Sequence, residues 1–301
     1  MKVLVIGGSG FVGSALSREL SAVGHEVVVS TRKKTTSRKK LTWNPPDLIA
    51  PDVIATFDAV INLAGESVYS ERWTTDRKER IRSSRLDTTR ALVQSLEKIS
   101  TVKNRKPHVL ISASAIGYYG PHGDEDVNEG APPGSDFLAG VCENWEAEAL
   151  RANELGIRVV ITRFGLVLGE GGGALSKMLG PFKAFVGGYI GSGKQWMSWV
   201  HIDDITGFIR HALENESVAG PFNVTAPVPV RNKEFSSALG EALDRPAFFP
   251  VPALALRLTL GEFADVLVTG QRVTSEKALK AGYTFKYTNV NEALKAILHN
   301  K

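Results

Sequence analysis

Two stretches of the sequence carry residue types able to do chemistry. The first is GGSGFVG, residues 7–13, in which Gly7, Gly10 and Gly13 recur at every third position. It follows an apolar run, VLVI, and opens a helical one. Glycines in that setting let the backbone turn tightly and approach a diphosphate, which the first N–H groups and the positive end of the helix then receive. Phe11 and Val12 belong to the same loop. The second stretch is DFLAGVCENWE, residues 136–146, where Leu138, Cys142 and Glu146 share one helix face at a spacing of four. Cys142 is the only cysteine of the chain. A thiol attacks only as thiolate, which a nearby cation favours. No Lys lies within a turn of Cys142, and Glu143 and Glu146 oppose ionisation, so it reads as a small packed side chain.

The second apolar run ends VVVSTRK. A fold that takes NAD carries a carboxylate about 20 positions past the glycine loop, on the ribose 2′-hydroxyl. Here Ser30, Thr31 and Arg32 occupy that region. Arginine grips a 2′-phosphate bidentately where a carboxylate would repel it, which predicts NADP rather than NAD. Gly7, Gly10, Phe11, Val12, Gly13, Thr31 and Arg32 thus form the first candidate cofactor-binding set.

Rigid elements must position these residues. VLVIG (3–7), EVVVST (26–31), AVINLAG (59–65), HVLISAS (108–114) and RVVITRFG (158–165) are short apolar runs, the pattern of parallel strands buried on both faces. Helical segments near 12–22, 74–97 and 138–155 separate them. The alternation predicts an α/β fold, a doubly wound parallel sheet of Rossmann type. After residue 166 the texture changes. GEGGG (169–173) and GGYIGSGK (187–194) have too little side chain to build a core. HIDDITGFIRHALEN (201–215) reads as a helix starting near Asp203, and PFNVT (221–225) as one more strand. Pro227, Pro229, Pro246, Pro250 and Pro252 break the rest of the chain into short helical pieces. The expected organisation is an NADP-binding domain over 1–165, completed by about 201–225, with 166–200 and 226–301 forming a small C-terminal substrate lobe.

Composition narrows the classes. Of 301 residues, 43% are hydrophobic and 23% charged, which is ordinary for a soluble globular protein. No apolar run approaches the roughly 18 residues of a membrane helix, so no membrane partner is expected. A single cysteine excludes an internal disulfide and a Cys-rich metal site, and fits a reducing, cytoplasmic setting. The six histidines show no H-E-x-x-H spacing, so no metal is expected. Part of the +4 net charge lies in RKKTTSRKK, 32–40. No aromatic residue interleaves there, so the run reads as a solvated loop and not as a nucleic-acid site.

GGSGFVG, AVINLAG, the ISAS…YYG segment at 111–120 and WVHIDD at 199–204 resemble the extended short-chain dehydrogenase/reductases. More closely, SRLDTT, DFLAGVCENWEAEAL, GGGALSKML, GGYIGSGKQWMSWVHIDD, GPFNVTAP and the segment from about 250 resemble an atypical, epimerase-like branch with a short C-terminal module. The resemblance implies an NADP(H)-dependent, epimerase-like oxidoreductase of an unknown small-molecule substrate, and a homodimer. It places Leu63, Ala64 and Gly65 under the adenosine and ribose. Arg85 falls where typical members carry an Asn beside the cofactor. Ser112, Ala113 and Ser114 match the serine triplet beside the nicotinamide, with Ser114 at the catalytic serine, and Gly165 and Leu166 match the border of that ring.

In active members the helix that DFLAGVCENWE opens carries Tyr-x-x-x-Lys, followed by a Glu four positions on. Aligned on Glu146, Leu138 takes the Tyr position and Cys142 the Lys position. A phenol exchanges the proton because the adjacent ammonium depresses its pKa, so the usual relay is absent here. Tyr118, Tyr119, His122, Glu66, Lys177 and water remain as proton sources. Asp203 and Asp204 after His201 read as a helix start. Trp196 and Trp199, with Met197, are expected to line the substrate cleft. A protein that binds NADP(H) as a sensor and turns nothing over is the alternative.

Overall fold

A computed structural model describes residues 1–69, 71–100 and 105–299. Seven strands form the central sheet: β1 (Lys2–Ile6), β2 (Glu26–Thr31), β3 (Lys40–Thr42), β4 (Ala59–Asn62), β5 (Val109–Ala115), β6 (Arg158–Phe164) and β7 (Gly220–Val224). Their spatial order is β7-β6-β5-β4-β1-β2-β3, and every pairing is parallel. The chain therefore winds outward from β1 in both directions, as the alternation of elements predicts.

Period-two alternation sends neighbouring side chains of one strand into different cores. Val3 and Val5 of β1 pack with Leu16 and Leu20 of α1 (Phe11–Ala22), and with Ile205, Phe208 and Ile209. Leu4 and Ile6 pack on the opposite face, with Leu92 and Leu96 of α2 (Thr75–Ser100) and Ala149 of α3 (Phe137–Leu150). Both faces are covered, which is why the strands read as continuous apolar runs.

The strand β3 departs from the sequence reading, in which 32–40 is a loop throughout. Lys40 begins β3 and pairs with Val29 of β2. This is an edge strand of three residues, and lysine on an exposed edge discourages pairing with another chain. Its charge hides it.

A third core unites 166–183 with 196–201, 230–243 and 290–299. Leu168, Leu175, Phe182, Trp199, Phe235, Leu239, Val290 and Leu294 meet there, carried partly by helix α4 (Gly173–Lys183). Trp199 is fully buried in this core and donates its indole N–H to the Val228 carbonyl at 3.1 Å. It does not line a cleft, which corrects the sequence expectation. Helix α5 (Ile202–Glu214) is capped by His201, whose Nδ1 accepts the Asp203 N–H at 3.1 Å. Asp204 is buried and has a different task from helix starting. It accepts the backbone N–H groups of Lys286 at 2.6 Å and Tyr287 at 3.0 Å, which tethers the C-terminal segment to α5.

Among the described residues no helix is long and apolar enough to cross a membrane, and no group of His, Cys, Asp and Glu is placed to hold a metal ion.

Candidate functional site

The phosphate loop stands at the C-terminal ends of the strands, where open α/β sheets hold ligands. Gly7 has φ +76°, and a Cβ there would stand 2.8 Å from the Leu63 carbonyl carbon. A Cβ on Gly13 would stand 2.3 Å from the Gly7 oxygen, so the helix is seated directly on the turn. Gly10 is the N-cap of α1 and brings no side chain to its first N–H groups, which stay open to an anion. These features fit a dinucleotide diphosphate.

Phe11 and Val12 take different directions. Val12 packs toward the core beneath the sheet. The Phe11 ring lies against the glycine-rich segment: Cβ atoms on Gly169, Gly172 and Gly173 would stand 2.8, 2.3 and 3.0 Å from it. The glycines of 169–173 thus let this segment close over the start of α1, a role their sequence alone does not reveal. Thr31 ends β2, and its hydroxyl accepts the Lys33 N–H at 3.2 Å. Arg32 is exposed and makes no ion pair among the described residues.

Leu63, Ala64 and Gly65 follow β4 beside this loop, with the Leu63 N–H donated to the Ile6 carbonyl at 2.9 Å. The Arg85 guanidinium lies on Gly65: a Cβ there would meet its Cζ at 3.0 Å. Arg85 also stands over the Trp145 ring at 5.3 Å and donates to the Ile81 carbonyl at 2.9 Å. Burial lowers its pKa, and the neighbourhood of Cys142, Tyr69 and Glu66 works against that. Arg85 is therefore a cation facing the strand-end turn, without a carboxylate partner among the described residues.

Ser112, Ala113 and Ser114 lie in the second half of β5, which runs on to Ala115. Gly165 follows β6, and a Cβ there would stand 2.5 Å from the Ser198 carbonyl oxygen. Leu166 begins the short strand Leu166–Leu168, which pairs with Trp199–His201. Ser114 is opposite Arg163 in the register of β5 and β6.

Around Ser114 the structure assembles a buried polar network that the sequence reading misses. The Ser114 hydroxyl donates to Glu146 Oε1 at 2.6 Å. Arg163 clamps the same carboxylate, Nε to Oε1 at 2.9 Å and Nη2 to Oε2 at 2.7 Å. Its Nη1 donates to the Tyr119 hydroxyl at 2.8 Å, and that hydroxyl donates to Asn223 Oδ1 at 2.6 Å. The Tyr118 ring covers the guanidinium at 3.5 Å. All of Ser114, Glu146, Arg163, Tyr119 and Asn223 are buried. Burial opposes the charge on Arg163, but the Glu146 carboxylate outweighs it and raises its pKa. Tyr119 is pushed up to about 12 by burial, against the pull of Arg163, so it stays protonated.

Leu138 and Cys142 lie two turns and one turn before Glu146 on α3. The Cys142 thiol is buried beside Ser114, and burial followed by the Glu146 charge pushes it up to about 11. It is a neutral, unreactive thiol.

A cleft of about 220 Å³ opens next to this region, with Gly117, Phe137, Leu138, Trp73 and Gln271 among its walls. A Cβ on Gly117 would lie 3.4 Å from Leu138 Cβ. The other candidate proton sources are engaged or distant. Glu66 pairs with the buried Arg77, and His122 Nδ1 lies 2.9 Å from Glu125. Lys177 is exposed on α4. The His201 ring is buried, is tilted against Tyr287 at 4.0 Å and caps α5. Trp196 stands outside the cleft, stacked under Arg231 at 3.7 Å.

Residues 3–225 match the family described as the NAD dependent epimerase/dehydratase family. The chain belongs to that family. Residues 251–297 of this epimerase-family chain match a second one, described as a domain of unknown function, DUF1731. The chain is 41% identical to the chloroplastic epimerase family protein SDR39U1 homolog of Arabidopsis thaliana, over 99% of this chain and 87% of that protein. The crystal structure of the human epimerase family protein SDR39U1, solved with NADPH, superposes with a TM-score of 0.89 at 36% identity, covering 100% of both chains. A UDP-glucuronic acid 4-epimerase from Bacillus cereus, at 18% identity and a TM-score of 0.80 over 99% of this chain and 98% of that one, shares the fold.

Proposed function

We propose that this chain binds NADP(H) and works as an oxidoreductase on a small carbonyl or hydroxyl compound, without the Tyr–Lys pair of its active relatives. Gly7, Gly10 and Gly13 bring open N–H groups to the diphosphate, flanked by Phe11 and Val12. Thr31 and Arg32 end β2 where the adenosine 2′-phosphate would lie, and Arg32 is uncommitted there. Leu63, Ala64 and Gly65 floor the cofactor, Arg85 stands over that floor, and Ser112, Ala113, Ser114, Gly165 and Leu166 border the nicotinamide end. When bound, the nicotinamide supplies or takes the hydride. The NADPH in the human relative's crystal supports the cofactor choice.

One observation carries the catalytic reading. The cleft walled by Gly117 and Leu138 opens where β5 ends, three residues past Ser114 and at the same sheet edge as the phosphate loop. A substrate there would face the nicotinamide end. Ser114 directs its proton to Glu146 and so offers the substrate only a lone pair, Leu138 has no proton to give, and Cys142 is held neutral. The proton then exchanges with water admitted through the cleft. The test incubates the protein with stereospecifically deuterated NADPH and a panel of carbonyl compounds. Transfer of label to one of them supports the reading; bound NADPH that never loses label removes it.

The neutral thiol of Cys142 beside Ser114 also favours a second reading: an NADP(H)-binding regulatory protein without turnover. Copurification of a protein partner that depends on NADP(H), with no label transfer, would select it.

A further inference from the structure

The cleft beside Leu138 has a chemistry of its own, and the inference drawn from it rests on the substrate side of the reading above. Among the described residues no Lys, Arg or His lines it. Its charged walls are three carboxylates, and each already has a partner. Asp136 Oδ1 accepts the Ala139 N–H at 2.8 Å, Glu262 pairs with Lys78, and Asp265 Oδ1 accepts from Arg257 at 2.9 Å. A diphosphate needs N–H groups or cations to replace its hydration. Here it would meet carboxylates and two cations that they already hold: Lys78, which also stands 5.3 Å from the Phe137 ring, and Arg257.

The remaining walls are flat and apolar. The Trp73 ring meets Phe137 edge-on at 5.3 Å and Phe263 at 5.4 Å, and its N–H is fixed to the Val68 carbonyl at 3.1 Å. Trp73 is only 7% exposed, so what it presents to the cleft is a set surface. Leu138 adds an aliphatic wall where active relatives carry a phenol. Gln271 supplies a neutral polar group: its Nε2 donates to the Ile116 carbonyl at 2.8 Å, leaving the carboxamide oxygen without a partner among the described residues. Pockets for small molecules commonly combine such walls with a few placed polar groups, at about 300–1,000 Å³. This one, at about 220 Å³, is smaller.

We propose that the cleft takes a compact, uncharged carbonyl compound with a flat ring, seated against Trp73, Phe137 and Leu138, and excludes nucleotide-diphosphate sugars. A neighbouring hollow of about 290 Å³, which shares Pro121 and Thr269 with the cleft, does contain Arg231 and Lys194. Of the two cations, Arg231 is tied to Asp124 at 2.7 Å and stacked on Trp196, and Lys194 is exposed. A diphosphate would find one ammonium there and no second uncommitted cation among the described residues.

The test titrates NADPH-saturated protein with 2-naphthaldehyde, acetophenone, UDP-glucose and UDP-glucuronic acid, following binding by saturation-transfer NMR and label transfer in parallel. The aromatic carbonyls should bind saturably at or below about 1 mM, and the nucleotide sugars should not. Trp73→Ala should weaken ring binding about tenfold with NADPH affinity unchanged. Leu138→Trp, which fills the cleft from its rim, should abolish ring binding and covers the case in which Trp73→Ala fails to fold. Saturable binding of either UDP-sugar, no binding of either aromatic compound, or ring binding unchanged in Leu138→Trp overturns the proposal. Ring binding without label transfer defeats the enzyme reading alone, whereas label transfer to a UDP-sugar defeats the cleft assignment alone.

Discussion

The Ser114 hydroxyl and Glu146 Oε1 stand 2.6 Å apart, and the carboxylate that receives that proton is held from its other side by two bonds from Arg163. The face of α3 where the resemblance to short-chain dehydrogenase/reductases would place a proton relay is joined here to β5 and β6 by a closed polar network. Leu138 and Cys142 precede Glu146 on that face and add only apolar contact and a neutral thiol. Ser114 is thus oriented by structure and not by substrate.

The Arg163–Glu146 pair is buried, and removing one member leaves the other charged without a partner. Arg163→Met should lower unfolding stability by about 3–5 kcal/mol, measured by urea denaturation at pH 7. Adding Glu146→Gln to that variant should recover part of the loss, because the stranded charge is gone. A cost below about 1 kcal/mol for the single variant would show that the pair does not lock α3 to the sheet.

The Cys142 thiol, pushed from the usual 9.0 to about 11, holds its proton more tightly in the folded chain than in the unfolded one. Its contribution to stability is therefore complete below about pH 9 and is lost as pH rises toward 11, on the order of 2–3 kcal/mol in all. Tyr119, raised to about 12, adds a loss of the same sign at higher pH. The measurement compares wild type with Cys142→Ala between pH 8 and about 10.5: the wild type should lose more stability. Parallel curves would mean that the thiol ionises freely. The same burial predicts slow alkylation by iodoacetamide at pH 8 until the protein is unfolded.

His201 behaves in the opposite direction. Burial holds its imidazole well below 6.5, at about 4, with Lys286 adding to the effect and Asp203 opposing it. The unfolded chain binds that proton first, so stability is full above about pH 6.5 and falls as pH drops toward 4. His201→Asn keeps an acceptor for the Asp203 N–H while removing the titration. Between pH 7 and about 4.5 the wild type should lose more stability than His201→Asn, by a few kcal/mol. Equal losses would place the acid sensitivity elsewhere.

The elements that the sequence reveals are those whose burial imposes a pattern. The five early strands are apolar on both faces because α1 and α5 cover one side and α2 and α3 the other, and the glycine loop is legible because close packing admits no side chain at Gly13. What escapes is non-local. Phe11 meets Gly169, Gly172 and Gly173 only after the chain has crossed the sheet, so nothing near GEGGG announces its task. Glu146 and Arg163 lie 17 residues apart on different elements. A signal for them does exist: an arginine inside RVVITRFG, a run otherwise fit for full burial, demands a buried carboxylate. Trp199 misleads because large aromatics beside glycine-rich loops suit a cleft as well as a core, and only the helices packed on it decide between them.

In the proposed NADP(H) site, Arg32 is the residue on which cofactor choice would turn. It is exposed at the end of β2, makes no ion pair among the described residues, and stands where no carboxylate is present to hold a ribose 2′-hydroxyl. A charge-assisted guanidinium–phosphate contact contributes about 1.5–3 kcal/mol, so Arg32→Ala should weaken NADPH about tenfold to hundredfold. NADH, which lacks the 2′-phosphate, should change by less than about threefold. Arg32→Glu should go further and reverse the preference, since the new carboxylate repels the phosphate and can accept the free hydroxyl of NADH. Isothermal titration of both cofactors into wild type and the two variants separates the cases. Equal losses for NADPH and NADH would mean that Arg32 shapes the turn and does not read the phosphate. The cation for that phosphate would then have to come from Lys33 or Lys34, the next two residues of the same loop.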